Sequence, residues 1–172
     1  MAQEWVDFFL IDSTNPSDST LMGERVITFG EGDVKSVRHL VEVVSTKCSV
    51  NNAKVRNLRL SGHGNEHGGP IGGDWISLAT LPKHSVELAK LNLYFDPATT
   101  KVVFDSCQTG TNIRLLSKLS TLWKGVSVSG FFDNQVPNFF SPSDEGLKFT
   151  CTLKNCVGEH PETDVKSRIV LR

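Results

Sequence analysis

Apolar stretches of two different periods alternate along this chain, and that alternation restricts its fold more than any other feature. "KVRNLRL" (54–60), ending in alternating Leu58 and Leu60, the compact β-branched "KVVFDSC" (101–107) and "GVSVSGFF" (125–132) are short runs of the kind that form buried strands. Each is preceded by a run of helical period: "DVKSVRHLVEVVSTK" (33–47), "PKHSVELAKLNLYF" (82–95) and "TNIRLLSKLSTLWKG" (111–125). In the first of these Val34, Val37, Val41 and Val44 recur at helical spacing beside Leu40, with Asp33 as the expected cap; in the last, Ile113, Leu116 and Leu119 form a second stripe. Strands alternating with helices predict an α/β fold, a mostly parallel sheet with helices on both faces as a three-layer sandwich. "EWVDFFLI" adds a first strand and "RVITF" a short one, while the glycine-rich run through Gly73 reads as a loop. After Asp133 the pattern breaks: "DNQVPNFFSPSDEG" predicts a long loop, and "LKFTCTLKNC" and "SRIVLR" predict closing antiparallel strands. With 172 residues the chain is expected to be one domain over 1–172, burying roughly two thirds of its unfolded surface.

In an open parallel sheet, functional side chains gather where strands end and face a crevice. Two strand ends carry chemistry. "LRLSGHG" presents His63, and "VVFDSC" presents Cys107. A thiol is a weak nucleophile until something favours the thiolate; a neighbouring imidazole does this and later protonates a leaving amine. A helix expected to begin near Thr109 or Thr111 would add its positive end. Gly64 lets backbone approach a substrate carbonyl, so its N–H together with that of Cys107 is the expected oxyanion site.

"SGHG" after an apolar strand, followed by "VVFDSCQTG", resembles the paired signature of the caspase-like cysteine peptidases, metacaspases above all. Legumain, gingipain, clostripain and the self-cleaving domains of large bacterial toxins are more distant likenesses. The resemblance implies a caspase-like sandwich in which His63 is the general acid/base and Cys107 the nucleophile of a peptidase. It also implies that Asp105, two residues before the cysteine, helps bind a basic substrate side chain, so that cleavage follows Arg or Lys. Asp133, in "SGFFDN", resembles an aromatic-aromatic-Asp stretch of the legumain specificity pocket and is expected to contact substrate in the same way. "CQTG" stands where the family usually has "CHSG", and the sequence has no recognisable calcium cluster or processing site. The resemblance therefore carries neither calcium activation nor self-maturation over.

Other classes of function find less support. With 18 Lys+Arg against 19 Asp+Glu the net charge is -1, so no global field draws the chain to nucleic acid or an anionic membrane. The first residues lack a basic start and a long apolar run, which predicts a soluble, cytoplasmic protein, with export lacking a cleaved leader as an open route. Cys48, Cys107, Cys151 and Cys156 are expected to be reduced thiols. His67 follows His63 at a metal-like spacing, but Gly68 and Gly69 oppose the helix such a site needs, so no metal and no cofactor is expected. The expected partner is a protein or peptide substrate; the sequence leaves the oligomeric state open. Two alternatives share the fold: a catalytically silent interaction or regulatory module, and another thiol enzyme, a deamidase or acyltransferase, using the same pair of residues.

Overall fold

The protein is described by a computed structural model covering residues 3–12, 14, 32–132, 148–153 and 155–159. Strand β1 (Glu4–Asp12) pairs in parallel with β2 (Gly32–Val34) on one side and β3 (Ala53–Ser61) on the other. β3 pairs in parallel with β6 (Lys101–Asp105), and β6 with β7 (Ser127–Phe131). The antiparallel strands β8 (Lys148–Cys151) and β9 (Cys156–Glu159) complete a seven-stranded sheet of order β2-β1-β3-β6-β7-β8-β9. Helices α1 (Val37–Val50), α2 (Leu81–Ala89) and α3 (Ile113–Leu122) flank it. The mostly parallel α/β sandwich read from the alternation is thus the observed architecture.

Register explains why these sequences make one core. Phe8, Leu58, Val102, Val128 and Cys151 lie in one row across five strands, and Leu10, Leu60, Phe104 and Phe149 fall in a second. All of them are buried in one hydrophobic cluster with Leu40 and Val44 of α1, Leu88 of α2 and Leu116 and Leu119 of α3. Fully burying side chains of this size contributes about 1.5–3 kcal/mol each. Trp123 locks the layer from below: its Nε1–H donates to the Leu88 carbonyl at 3.0 Å, and its ring meets Phe95 edge-on at 5.5 Å. Ile11 and Phe131 point to the opposite face of the sheet and are also buried, so that face too is covered at the carboxyl ends of the strands.

Four expectations are corrected, that of Cys151 and Cys156 as reduced thiols among them. Asp33 does not cap the first helix: Gly32–Val34 is drawn into pairing with Leu10–Asp12, the chain stays extended through Val34, and Ser36 becomes the cap, its Oγ accepting from His39 N–H at 3.1 Å. The glycine-rich run contains a hairpin, β4 (Gly68–Ile71) and β5 (Asp74–Ser77), turning at Gly72 and Gly73. Gly72 has φ +59°, and a Cβ there would lie 2.1 Å from the Lys35 carbonyl carbon, so the turn requires glycine. The "LKFTCTLKNC" segment is a hairpin rather than a single strand, and its register sets Cys151 opposite Cys156 with Cα atoms 4.1 Å apart. That juxtaposition joins them in a disulfide, leaving Cys48 and Cys107 as the thiols. "RVITF", the loop from Asp133 and "SRIVLR" lie outside the described residues.

Candidate functional site

β3 and β6 run side by side in the middle of the sheet, and their last paired residues are Ser61 and Asp105. Gly62 N–H then donates to the Asp105 carbonyl at 3.4 Å, so both chains leave the sheet at the same level. His63 and Cys107 each follow two residues past that final pair. His63 is exposed, Cys107 half-buried. The sheet therefore brings together the two strand ends singled out in the sequence.

At Gly64 the two ends come into close contact. A Cβ there would fall 2.6 Å from Ser106 Cβ, 2.6 Å from Thr109 Oγ1 and 2.9 Å from the Cys107 carbonyl oxygen. No side chain fits between these turns, so Gly64 lets the histidine segment lie directly on the cysteine segment. The cysteine turn is itself wedged from the other side. A Cβ on Gly110 would sit 2.2 Å from the Gly130 carbonyl oxygen at the end of β7. Gln108 adopts a left-handed conformation, φ 55°, and redirects the chain into a 3-10 turn at Thr109–Thr111. Helix α3 starts only at Ile113, with the Asn112 side chain accepting from Leu115 N–H at 3.1 Å. The expected helix end near Thr109 or Thr111 is thus displaced beyond this turn, and the influence of a helix end fades within about one turn.

The β4–β5 hairpin roofs the same end of the sheet. Thr109 Oγ1 donates to the Gly68 carbonyl at 3.4 Å and Asn112 Nδ2 to the His67 carbonyl at 3.1 Å, tying the hairpin to the cysteine side. At its other end Gly73 N–H donates to the Lys35 carbonyl, and the Asp74 carboxylate accepts from Val37 N–H, both at 2.9 Å, tying it to the start of α1. His67 is exposed at the tip of the turn between Asn65 and Gly68, its Nε2 3.6 Å from Glu66 Oε1.

Asp105 does not stand open at the site. Arg59 Nε donates to its Oδ2 at 3.1 Å, with the two side chains only 13% and 11% exposed, and the guanidinium lies over the Phe9 ring at 5.3 Å. An internal cation thus occupies the carboxylate expected to bind a basic substrate side chain. Asp133 lies outside the described residues. Ser106, between Asp105 and Cys107, is buried, and its Oγ makes no hydrogen bond among the described residues.

The structure adds residues that the motifs alone do not indicate. A cleft of about 500 Å³ opens beside His63, lined by Asp12, Thr14, Pro70, Trp75 and the hairpin turn. Asp12 ends β1 and is only 5% exposed; its Oδ1 accepts from Thr14 N–H at 2.8 Å and from Thr14 Oγ1 at 2.6 Å. The sequence signal was present in "LIDST", an acid at a strand end followed by hydroxyl residues. Among the described residues no helix is long and apolar enough to cross a membrane. No family model matches the chain, nor does any curated protein or solved structure.

Proposed function

We propose that the protein is a cysteine endopeptidase in which Cys107 is the nucleophile and His63 the general acid/base. The observation that carries the reading is the parallel pairing of β3 with β6, which ends at Ser61 and Asp105 and sets both turns against each other at Gly64. In the proposed reaction the Cys107 sulfur, its proton passed to His63, attacks the scissile carbonyl carbon. The carbonyl oxygen becomes an oxyanion held by the N–H groups of Gly64 and Cys107. As the C–N bond breaks, His63 returns its proton to the leaving amine, and a thioester remains on sulfur. Water then attacks the thioester with His63 taking its proton, the C–S bond breaks, and the thiol is restored as the carboxylic acid product leaves. The open cleft beside His63 gives a peptide an approach to that imidazole.

The test uses purified protein, a library of fluorogenic peptides and the Cys107→Ala variant. Hydrolysis that disappears in the variant, with stoichiometric labelling of Cys107 by an acyloxymethyl ketone, is expected. Hydrolysis that persists in Cys107→Ala, or a wild-type protein inert toward every peptide and unlabelled, removes the proposal. Modification of a protein side chain without peptide-bond cleavage would assign the same pair to a deamidase or acyltransferase.

A further inference from the structure

The Cys151–Cys156 bond plays no part in the proposed reaction, yet the β8–β9 hairpin it closes backs onto the cysteine turn. Cys151 is fully buried in the row it shares with Val128, Val102 and Leu58. Its Sγ lies 3.7 Å from the carbonyl oxygen of Ile113, the first residue of α3. On the same strand Phe149 faces Gly130 of β7, whose carbonyl abuts Gly110 of the cysteine turn. Gly158 of β9 in turn lies flat on the Phe149 ring, where a Cβ would fall 3.1 Å from its Cε1. Asn112, which caps α3 beside Ile113, also holds the β4–β5 hairpin through the His67 carbonyl. A packed path therefore runs from the bond at the sheet edge to the turn that carries Cys107.

The bond has the makeup of something that opens. Its cysteines lie five positions apart, and cross-links across short loops constrain the unfolded chain least. β9 is the last strand of the sheet and Cys156 is only half-buried, so a thiolate can approach the bond from that side. The turn hydrogen bond from Thr152 N–H to the Asn155 carbonyl at 2.8 Å and the β8–β9 ladder do not depend on the bond, which keeps opened thiols side by side and ready to close. Opening also changes what β8 offers α3: a disulfide sulfur has no proton for the Ile113 carbonyl, whereas a Cys151 thiol does.

We infer that Cys151–Cys156 is a thiol–disulfide switch, which holds the Cys107 turn in place when closed and loosens it when open. The reductant is a dithiol. One of its thiolates attacks the Cys156 sulfur, the S–S bond breaks, and the Cys151 sulfur leaves and takes up a proton. The second thiolate then attacks the mixed disulfide, Cys156 departs and is protonated, and the reductant is left as a disulfide. Opening frees β9 to lift from Phe149, and β8 slackens against β7 behind Gly110. The half-buried Cys107 becomes more accessible and less well placed. The inference rests on the peptidase reading only for its effect on hydrolysis.

The test equilibrates the protein with mixtures of reduced and oxidised dithiothreitol. Mass spectrometry of trapped cysteine peptides gives the state of the bond, circular dichroism follows folding, and a pulse of iodoacetamide after removal of the dithiol gives the alkylation rate of Cys107. The bond is expected to open and close reversibly in folded protein, with Cys107 alkylated at least about 5-fold faster in the open form, the lower end of coupling between linked sites. Cys156→Ser should show the faster rate in every mixture, and the wild-type measurement stands alone should that variant not fold. Hydrolysis of a fluorogenic peptide should fall on opening and return on closing. A bond that never forms, a bond that opens only with unfolding, or a Cys107 rate indifferent to its state overturns the inference whether or not peptides are cleaved. A Cys107 rate that follows the bond in protein inert toward every peptide would sustain the switch while removing the peptidase reading.

Discussion

Replacing Gly64 by alanine puts the contact between the histidine and cysteine turns to a direct test. The new methyl carbon would sit 2.6 Å from Ser106 Cβ and 2.6 Å from Thr109 Oγ1, against about 3.5–4.0 Å for comfortable carbon contacts. Both neighbours belong to the same short turn, and the third, the Cys107 carbonyl oxygen at 2.9 Å, is backbone, so no flexible side-chain end can yield. Relief requires the turns to separate by about 1 Å. Overpacking of this kind costs about 1–3 kcal/mol, or about 2–12 °C in Tm for a chain of this size. Misplacing reacting groups by about 1 Å costs about 100-fold in rate, so kcat/KM should fall far more than folding does. Differential scanning calorimetry and peptide hydrolysis measure the two effects. Gly73→Ala is the control for stability: its Cβ would meet nothing closer than the Lys35 carbonyl oxygen at 3.7 Å, and it should keep or gain up to about 1 kcal/mol. A Gly64→Ala protein that melts with wild type and hydrolyses peptides at the same rate would refute the coupling of the two turns.

The Arg59–Asp105 pair should behave as structure. Asp105→Ala removes the carboxylate to which the largely buried Arg59 Nε donates and should cost about 2–4 kcal/mol in urea unfolding, somewhat under the cost for a fully buried pair, while Arg59→Met with Asp105→Leu should recover much of it; an unchanged midpoint in Asp105→Ala would contradict the buried pair. Thiol counting should proceed in steps. Cys107 reacts with a disulfide reagent in the native protein, whereas Cys48, on the buried side of α1 with its thiol pushed up by that burial, reacts only on unfolding. Cys151 and Cys156 should join them only after a reductant is added, and four reactive thiols in unfolded, unreduced protein would exclude the bond.

What the sequence conveyed well was whatever local period controls. The stripes of α1 and α3 and the β-branched runs of β3, β6 and β7 are local patterns, and they are found where the alternation sets them. Legibility failed where a distant partner decides. Val34 carries helical spacing, yet pairing with Asp12 keeps it in a strand; the hairpin at 68–77 is hidden by Gly72 and Gly73, which read as loop until the turn is seen to need Gly72. The placement of His63 and Cys107 at neighbouring strand ends followed from motif and strand context. The engagement of Asp105 by Arg59 did not, because it depends on which residues of β3 and β6 share a face. "LIDST" marks Asp12 as an acid at a strand end, but only the pairing of β1 with β3 brings that strand end to the cleft.

The Arg59–Asp105 bond also acts as a check on alignment. Side chains alternate between the two faces of a sheet, so β6 slipping by one residue along β3 would carry Asp105 to the other face, away from Arg59. The observed alignment keeps the pair on one face. It is also the alignment in which the segments bearing His63 and Cys107 emerge abreast, so a misthreaded intermediate loses this ion pair just beneath the place where those two segments leave the sheet.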